Sequence, residues 1–559
     1  MNKDFIGSKL KIIKIYLLLI CCLALVSAVI PRSGKMLEAR SMYLAAAVPD
    51  VTCYTLDEGG APVQSGSIPR GTAVSLSGKT AKDHDGNLLK GVRYEGGEVF
   101  VDEENLTADK DDVVLEDEVY VRTPATIYSE PEGPEIAGFV QKGESLRVTG
   151  YDAVEEDGTV DKYRISYEDS DGWIYGKYMV FSPEEAKKKC NDNGAMDMAK
   201  DSSYPINLHG GKGTNLDYFP YEKTSIPGKA FCTDARAMYL NAGAATKDKY
   251  FKLAADSGVN AVVINIDGGT PAYGSPVMKE LCPTAYESAH YSLEEYQKAV
   301  NQYKEAGFYT IGRIACFNDK NFAKDHPESC IKEDGKSTGW VSAYSRKAWE
   351  YKVSVAVEAV ELLGFDEIQF DYVRFPETAY QMSLSGSTDF GNTYDEEKAQ
   401  AIQNFCFYAA DQIHEAGAYF SVDVFGECSN GYVTAYGQYW PAISNVVDAI
   451  SSMPYTDHHG DSDTWTNPYS TMYNWAKRSA GMQKHIPTPA VARTWITGYN
   501  TPYWNPTVNY NYDKLNEQVK ALKDAGLDGG FIPWNSSSDY RKYKEYSKIW
   551  QVHAGDKKK

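Results

Sequence analysis

GFDEIQFDYVRFPE, residues 364–377, is the stretch on which the fold turns. Read as a strand, it places Gln369, Asp371 and Val373 on one face and Ile368, Phe370 and Tyr372 on the other. An aspartate inside such an apolar run is costly unless its surroundings serve it. The plain structural explanation is a salt bridge to Arg374 or to another cation. Seven further strand-like runs flank this one between Pro227 and His553. In chain order the eight end at Leu240, Asp267, Phe317, Phe375, Gly426, Met453, Ile496 and Asn535. Helical patterns lie between several of them. Leu293, Tyr296, Val300 and Tyr303 recur at spacings of three and four, as do Trp349, Val353, Val357, Val360 and Leu363. Eight strands separated by helices over about 330 residues predict an α/β fold, a (β/α)8 TIM-type barrel. A doubly wound sheet is the alternative, but no glycine-rich nucleotide loop follows the first strand.

In such a barrel the chemistry sits where the strands end. Those ends carry Asp267, Asn318, Asp371 with Arg374, Asp423 with Glu427, Tyr455, Asp457 with His458 and His459, Arg493 with Trp495, and Trp534 with Asn535. The rim is acidic and aromatic and holds no Ser-His-Asp spacing. Carboxylates from different strands are what glycoside hydrolysis needs, one as proton donor and one as nucleophile or base, with rings beside them to stack on sugar faces. His458 and His459 beside Asp457 raise a metal reading, including a metal-dependent deacetylase. Adjacent histidines point apart on extended chain, so no metal and no cofactor is assigned. Asp461 and Asp463 fit a solvated turn better than a calcium loop.

The remaining sequence sets the context. The chain has 559 residues, 43% hydrophobic and 24% charged, which are globular values. A net charge of −20 argues against nucleic acid as a partner. Lys3, Lys9, Lys11 and Lys14 precede an apolar run from Ile15 to Ile30, so residues 1–30 read as a signal peptide or N-terminal membrane anchor. The expected location is therefore extracytoplasmic, secreted or attached to a bacterial envelope. Ten cysteines are scattered without a C-x-x-C, and a bridge between Cys282 and Cys330 is the one pairing suggested.

Residues 48–181 read as β-structure with an approximate internal repeat, from about Val51 to Leu106 and from about Val119 to Val180. Two modules are expected, 48–108 and 109–181. The second resembles bacterial SH3-like modules through YSEPEG, GFVQKGESLRVTG and DGWIYGKYM; the first is a degenerate match. That resemblance implies attachment to cell-wall glycan or peptide; a spacer that binds nothing is the other reading. Residues 182–227 form a short helix capped by Ser182 and a linker, and 228–555 the barrel.

From about 228 to 545 the chain resembles a bacterial (β/α)8 glycoside hydrolase family long catalogued as a domain of unknown function. The match is carried by ELLGFDEIQFDYVRFP, NAVVINIDG, YTIGRIACFND, SRKAWEYKVSVAVEA, SVDVFG and GGFIPWN, in family order. Departures are Asn265 and Asp267 where the family usually has Asp and Lys, MPYTDHHG at the sixth strand, and Ser342-Ala343-Tyr344 before the third helix. The resemblance implies that Asp371 is the nucleophile or principal carboxylate, with Asp423 its best partner and Glu427 and Asp457 next. Arg374 is expected to orient Asp371. Asp267, Asn318, Arg374, Tyr455, His458, Arg493, Trp495, Trp534 and Asn535 are expected to bind substrate. The function expected is an exported glycoside hydrolase acting on envelope or extracellular polysaccharide, or peptidoglycan-related glycan. The alternative is an inactive glycan-binding or structural wall protein.

Overall fold

The computed structural model describes residues 41–45, 50–57, 59–110, 113, 117–153, 159–168, 170–189, 209–458, 461–502 and 504–554. The leader, linker residues 191–208, Cys190, His459 and the tail from 555 lie outside the described residues. Residues up to Asp117 and residues from Glu118 form two compact units.

The second unit contains a closed barrel whose strands follow one another in chain order. They are β1 (Ala235–Leu240), β2 (Ala261–Asp267), β3 (Tyr309–Ala315), β4 (Glu367–Asp371), β5 (Tyr419–Phe425), β6 (Ala449–Met453), β7 (Val491–Thr497) and β8 (Gly530–Trp534). Each neighbouring pair is parallel, and β1 closes on β8 through Ala235 and Gly530. All eight expected runs are strands. β4, however, stops at Asp371, because Tyr372 turns into the left-handed region at φ 55°. The expected alternation therefore ends there, and Val373 does not continue the face of Asp371.

Two long helices cover the β3–β5 side. α1 (Arg346–Leu363) starts where the Ser345 hydroxyl accepts from the Ala348 amide, and ends at Gly364, φ 69°. That glycine takes the left-handed cap without a steric cost. α2 (Lys398–Glu415) is buried along most of its length. Its outer face is covered by a seven-stranded antiparallel sheet built from strands between Glu118 and Val180. Tyr178 donates to both carboxylate oxygens of Asp411 at 2.8 Å, Lys177 reaches the same carboxylate at 2.6 Å, and Lys162 pairs with Glu415 at 2.9 Å. The Tyr128 and Tyr408 rings stack at 6.0 Å. This sheet thus spends three of its aromatic residues, Tyr128, Tyr175 and Tyr178, against the barrel.

The first unit holds a sheet of seven strands between Ser41 and Thr107. Counted in chain order within each sheet, both run third, second, sixth, fifth, fourth, first, seventh. The approximate repeat in the sequence is therefore a repeat of topology. Between sheet and barrel, Ser182 caps the helix Pro183–Lys187 as read from sequence. Residues 209–227 pack on the barrel: Lys223 Nζ donates to the carbonyls of Ser444, Asn445 and Val447, and its burial pushes it down to about 8. The expected Cys282–Cys330 bridge is absent, and both thiols are free. Cys330 Sγ instead faces the carbonyls of Ala323 and His326, each at 3.8 Å.

Replacing Asp411 with Ala leaves the buried Tyr178 hydroxyl and the Lys177 ammonium without their acceptor. The expected cost is about 3 kcal/mol of unfolding free energy, since donors to a charged acceptor are lost in a buried seam. Denaturant melts of the full chain, wild type against D411A, measure it.

Candidate active site

Inward residues of neighbouring strands stack in layers, because side chains alternate along each strand. The deep layer is held by Glu367 of β4 and Arg493 of β7. Arg493 Nη1 lies 2.7 Å from Glu367 Oε1, and Tyr309 and Ser421 donate to the same carboxylate at 2.9 and 2.5 Å. In the middle layer Gln369 donates to the Ser451 hydroxyl at 3.1 Å. The layer at the mouth gathers a guanidinium and two carboxyls.

Arg313 of β3 is the hub of that layer. Its Nη1 donates to Asn265 Oδ1 of β2 at 2.9 Å, its Nη2 makes a very short contact with Asp371 Oδ2 of β4, and its Nε lies 3.6 Å from Asp423 Oδ2 of β5. Asp371 Oδ1 accepts from the Tyr372 amide at 2.6 Å, so both its oxygens are fixed. Asp423 Oδ1 accepts from the Trp495 indole at 2.7 Å, while its Oδ2 and Arg313 Nε are buried without a hydrogen-bond partner. Two carboxyls thus share one guanidinium, and the sharing is unequal. Burial first, and the adjacent Asp371 charge second, push the Asp423 carboxyl well above the usual carboxylate range; Arg313 and the Trp495 bond oppose this and lose. Arg313 is the reverse case: burial disfavours its charge, but Asp371 overrides that and holds the guanidinium protonated.

Above this layer opens a cleft of 1690 Å3. Asp371, Arg313, Trp495 and Trp534 line its floor, and Glu427, Asp457, Tyr455, His458 and Arg374 line its walls. Glu427 accepts from the Tyr432 and Tyr436 hydroxyls at 2.7 and 2.9 Å, and Asp457 accepts from the Tyr499 hydroxyl at 2.7 Å. Arg374 does not orient Asp371. It donates to Glu377 at 3.1 Å and to the Phe375 carbonyl, and its guanidinium lies 4.4 Å from the centre of the Phe425 ring. The cation that serves Asp371 is Arg313, which sequence reading passed over although it too is a charge within an apolar run.

Five expected residues, Asp423 among them, lie away from the cleft lining. Arg493 is one strand repeat deeper, on Glu367. Asp267 is locked with Asp319 on the buried Lys352, at 3.0 and 2.6 Å. Burial pushes Asp267 up, while the two carboxylates override burial at Lys352 and keep it charged. Asn535 closes a turn by accepting from the Asp539 amide at 3.1 Å. Asn318 is half-buried beside Asp319. Asp423 itself is 0% exposed and sits behind the floor, against 6% for Asp371. Asp461 caps the helix Ser462–Thr466 through the Asp463 amide. Among the described residues no group of three or more His, Cys, Asp or Glu is placed to hold a metal ion. None of their helices is long and apolar enough to cross a membrane. The cleft also recruits Tyr432, Tyr436, Trp475 and Trp504, which lie beyond the strand ends and gave no signal as strand-end residues.

An acid whose native pKa is raised binds its proton more tightly folded than unfolded. Its contribution is fully present below about pH 4 and is lost as pH rises toward the native value. Asp423→Asn keeps an acceptor for Trp495 and removes the ionisation. The variant is expected to match wild type below about pH 3 and to gain stability over it as pH rises above about 4, which thermal melts at stepped pH will show.

A family model described as "Putative glycosyl hydrolase domain" matches residues 237–540. No curated protein matches the chain. Among solved structures, a hypothetical protein from Ruminiclostridium thermocellum ATCC 27405 is 30% identical, covering 34% of this chain and 97% of that one, with a TM-score of 0.28. The PgaB (BpsB) glycoside hydrolase domain from Bordetella bronchiseptica is 10% identical over 57% of this chain and 99% of its own, TM-score 0.42. The endo-beta-1,4-mannanase from Thermotoga petrophila is 13% identical over 60% and 79%, TM-score 0.41.

Proposed function

We propose, from the premise that the chain belongs to the glycosyl hydrolase domain family matched over residues 237–540, that it cleaves glycosidic bonds with Asp371 as nucleophile. The observation that carries this reading is the Asp371 carboxylate, fixed on both oxygens at the floor of an aromatic-lined cleft. Arg313 keeps the pair's charge in place, so the carboxylate is presented as an anion without reorganisation. Trp534 and Trp504 offer ring faces to sugars in the cleft, and Trp495 packs edge-on beneath Trp534.

The proton donor must reach the leaving oxygen from the cleft. Asp423 is enclosed, so Asp457 takes that role in this reading, with Glu427 binding sugar hydroxyls from the β5 side. Asp371 forms a bond to the anomeric carbon, the bond to the leaving sugar breaks, and the Asp457 proton goes to the departing oxygen. Water then displaces Asp371 and returns a proton to Asp457. Asp423 stays neutral behind Arg313, leaving that cation to Asp371. The basic and apolar leader supports export, and with it an envelope or extracellular polysaccharide as substrate.

Reducing-end release from purified wall and exopolysaccharide fractions tests this. Asp371→Asn and Asp457→Asn should each lower release by about 10³-fold or more, whereas Asp423→Asn, neutral like the group it replaces, should cost less than about tenfold near pH 7. A D423N loss as large as that of D371N would make Asp423 the acid instead. A folded wild type that releases nothing yet pulls down a fraction would be a glycan-binding module.

A further inference from the structure

Six non-glycine residues among those described adopt positive φ: Glu95, Glu168, Asp334, Tyr372, Asp395 and Ser538. Five are small or acidic residues in connections between elements. Tyr372 alone is aromatic, and it alone lines the cleft. A bulky side chain is an outlier in the left-handed region, which glycine enters freely. The conformation is imposed from both sides. The Cys316 amide donates to the Asp371 carbonyl at 2.8 Å, and the Tyr372 carbonyl accepts from the Phe317 and Arg374 amides at 3.3 and 2.9 Å. These bonds turn the chain off β4 immediately after Asp371 and aim the Tyr372 amide at its carboxylate.

A glycine would serve that backbone better, and its amide would still hold Asp371. What the strain retains is the ring. It is half-buried in the cleft lining next to the reacting carboxylate, with the Arg374 guanidinium 5.2 Å from its centre, and its hydroxyl has no hydrogen-bond partner among the described residues. Strain of this kind persists where a function needs the side chain. We infer that Tyr372 is a substrate-contact residue, a strained platform that binds the sugar ring attacked by Asp371. This rests on the hydrolase reading above.

The test compares Y372G, Y372A and Y372F in the full chain. Y372G and Y372A both lack the ring and differ only in how they tolerate φ 55°, so Y372G should melt at the higher temperature. Both should raise KM for the fraction that wild type cleaves by about tenfold or more, with a smaller change in kcat, and weaken binding to that fraction in the D371N background. Y372F, which restores the ring, should recover most of that affinity. Wild-type KM and binding in Y372G would overturn the contact role, and equal melting of Y372G and Y372A would overturn the strain. Should wild type bind a fraction without cleaving it, the hydrolase reading fails while the platform stands or falls on the Y372G binding. If wild type neither binds nor cleaves, both fall.

Discussion

The mouth of this barrel depends on one guanidinium. Arg313 is buried beneath the cleft floor that it helps to line, and a buried cation is tolerable only if acceptors surround it. It has two, Asn265 of β2 and Asp371 of β4, and a looser ion pair with Asp423 of β5, so its charge ties together three strand ends. One positive charge faces two carboxyls, and burial together with the neighbouring Asp371 charge raises the Asp423 carboxyl well above the usual range. The tight contact goes to Asp371 and the loose one to Asp423, and burial completes the division. A carboxyl that reaches the cleft and one enclosed behind it therefore arise from the same residue type within one layer.

The second buried cation shows the same logic used for scaffolding. Lys352 of α1 ties Asp267 at the end of β2 to Asp319 beyond β3. Its two carboxylate partners neutralise it, and none of the three lines the cleft. A carboxylate at a strand end is thus available to substrate only when its neutralising partner leaves one side open. Asp371 meets that condition, and Asp267 does not.

The docked β-sheet turns its aromatic residues toward the barrel. Its Tyr128, Tyr175 and Tyr178 are committed to α2, which makes the sheet a buttress for the β4–β5 side of the barrel. In the first unit, the residues that follow the sixth strand are Glu103, Glu104 and Asn105, where the second sheet has Gly176, Lys177 and Tyr178. One topology therefore carries two different surfaces, and only the second is complementary to the Asp411 and Glu415 carboxylates of α2.

By itself the sequence determined the barrel, because strand and helix periodicities are local and eight alternations leave few closures. It also determined the doubled β-topology, whose turns and strands repeat along the chain, and the acidic, aromatic character of the rim. The Asp371 segment was legible because a charge within an apolar strand demands a partner. What only the tertiary structure decided was which partner. Arg374 is three residues away but its side chain is drawn to Glu377 and Phe425, whereas Arg313 is 58 residues away and adjacent across the β3–β4 pairing. Depth was likewise decided in three dimensions. Arg493 and Trp495 share a face two residues apart, yet one lies on Glu367 in the deep layer and the other at the cleft floor. Sequence periodicity assigns a face to a residue. Its height within the barrel follows from strand stagger and closure, which exist only once all eight strands have met.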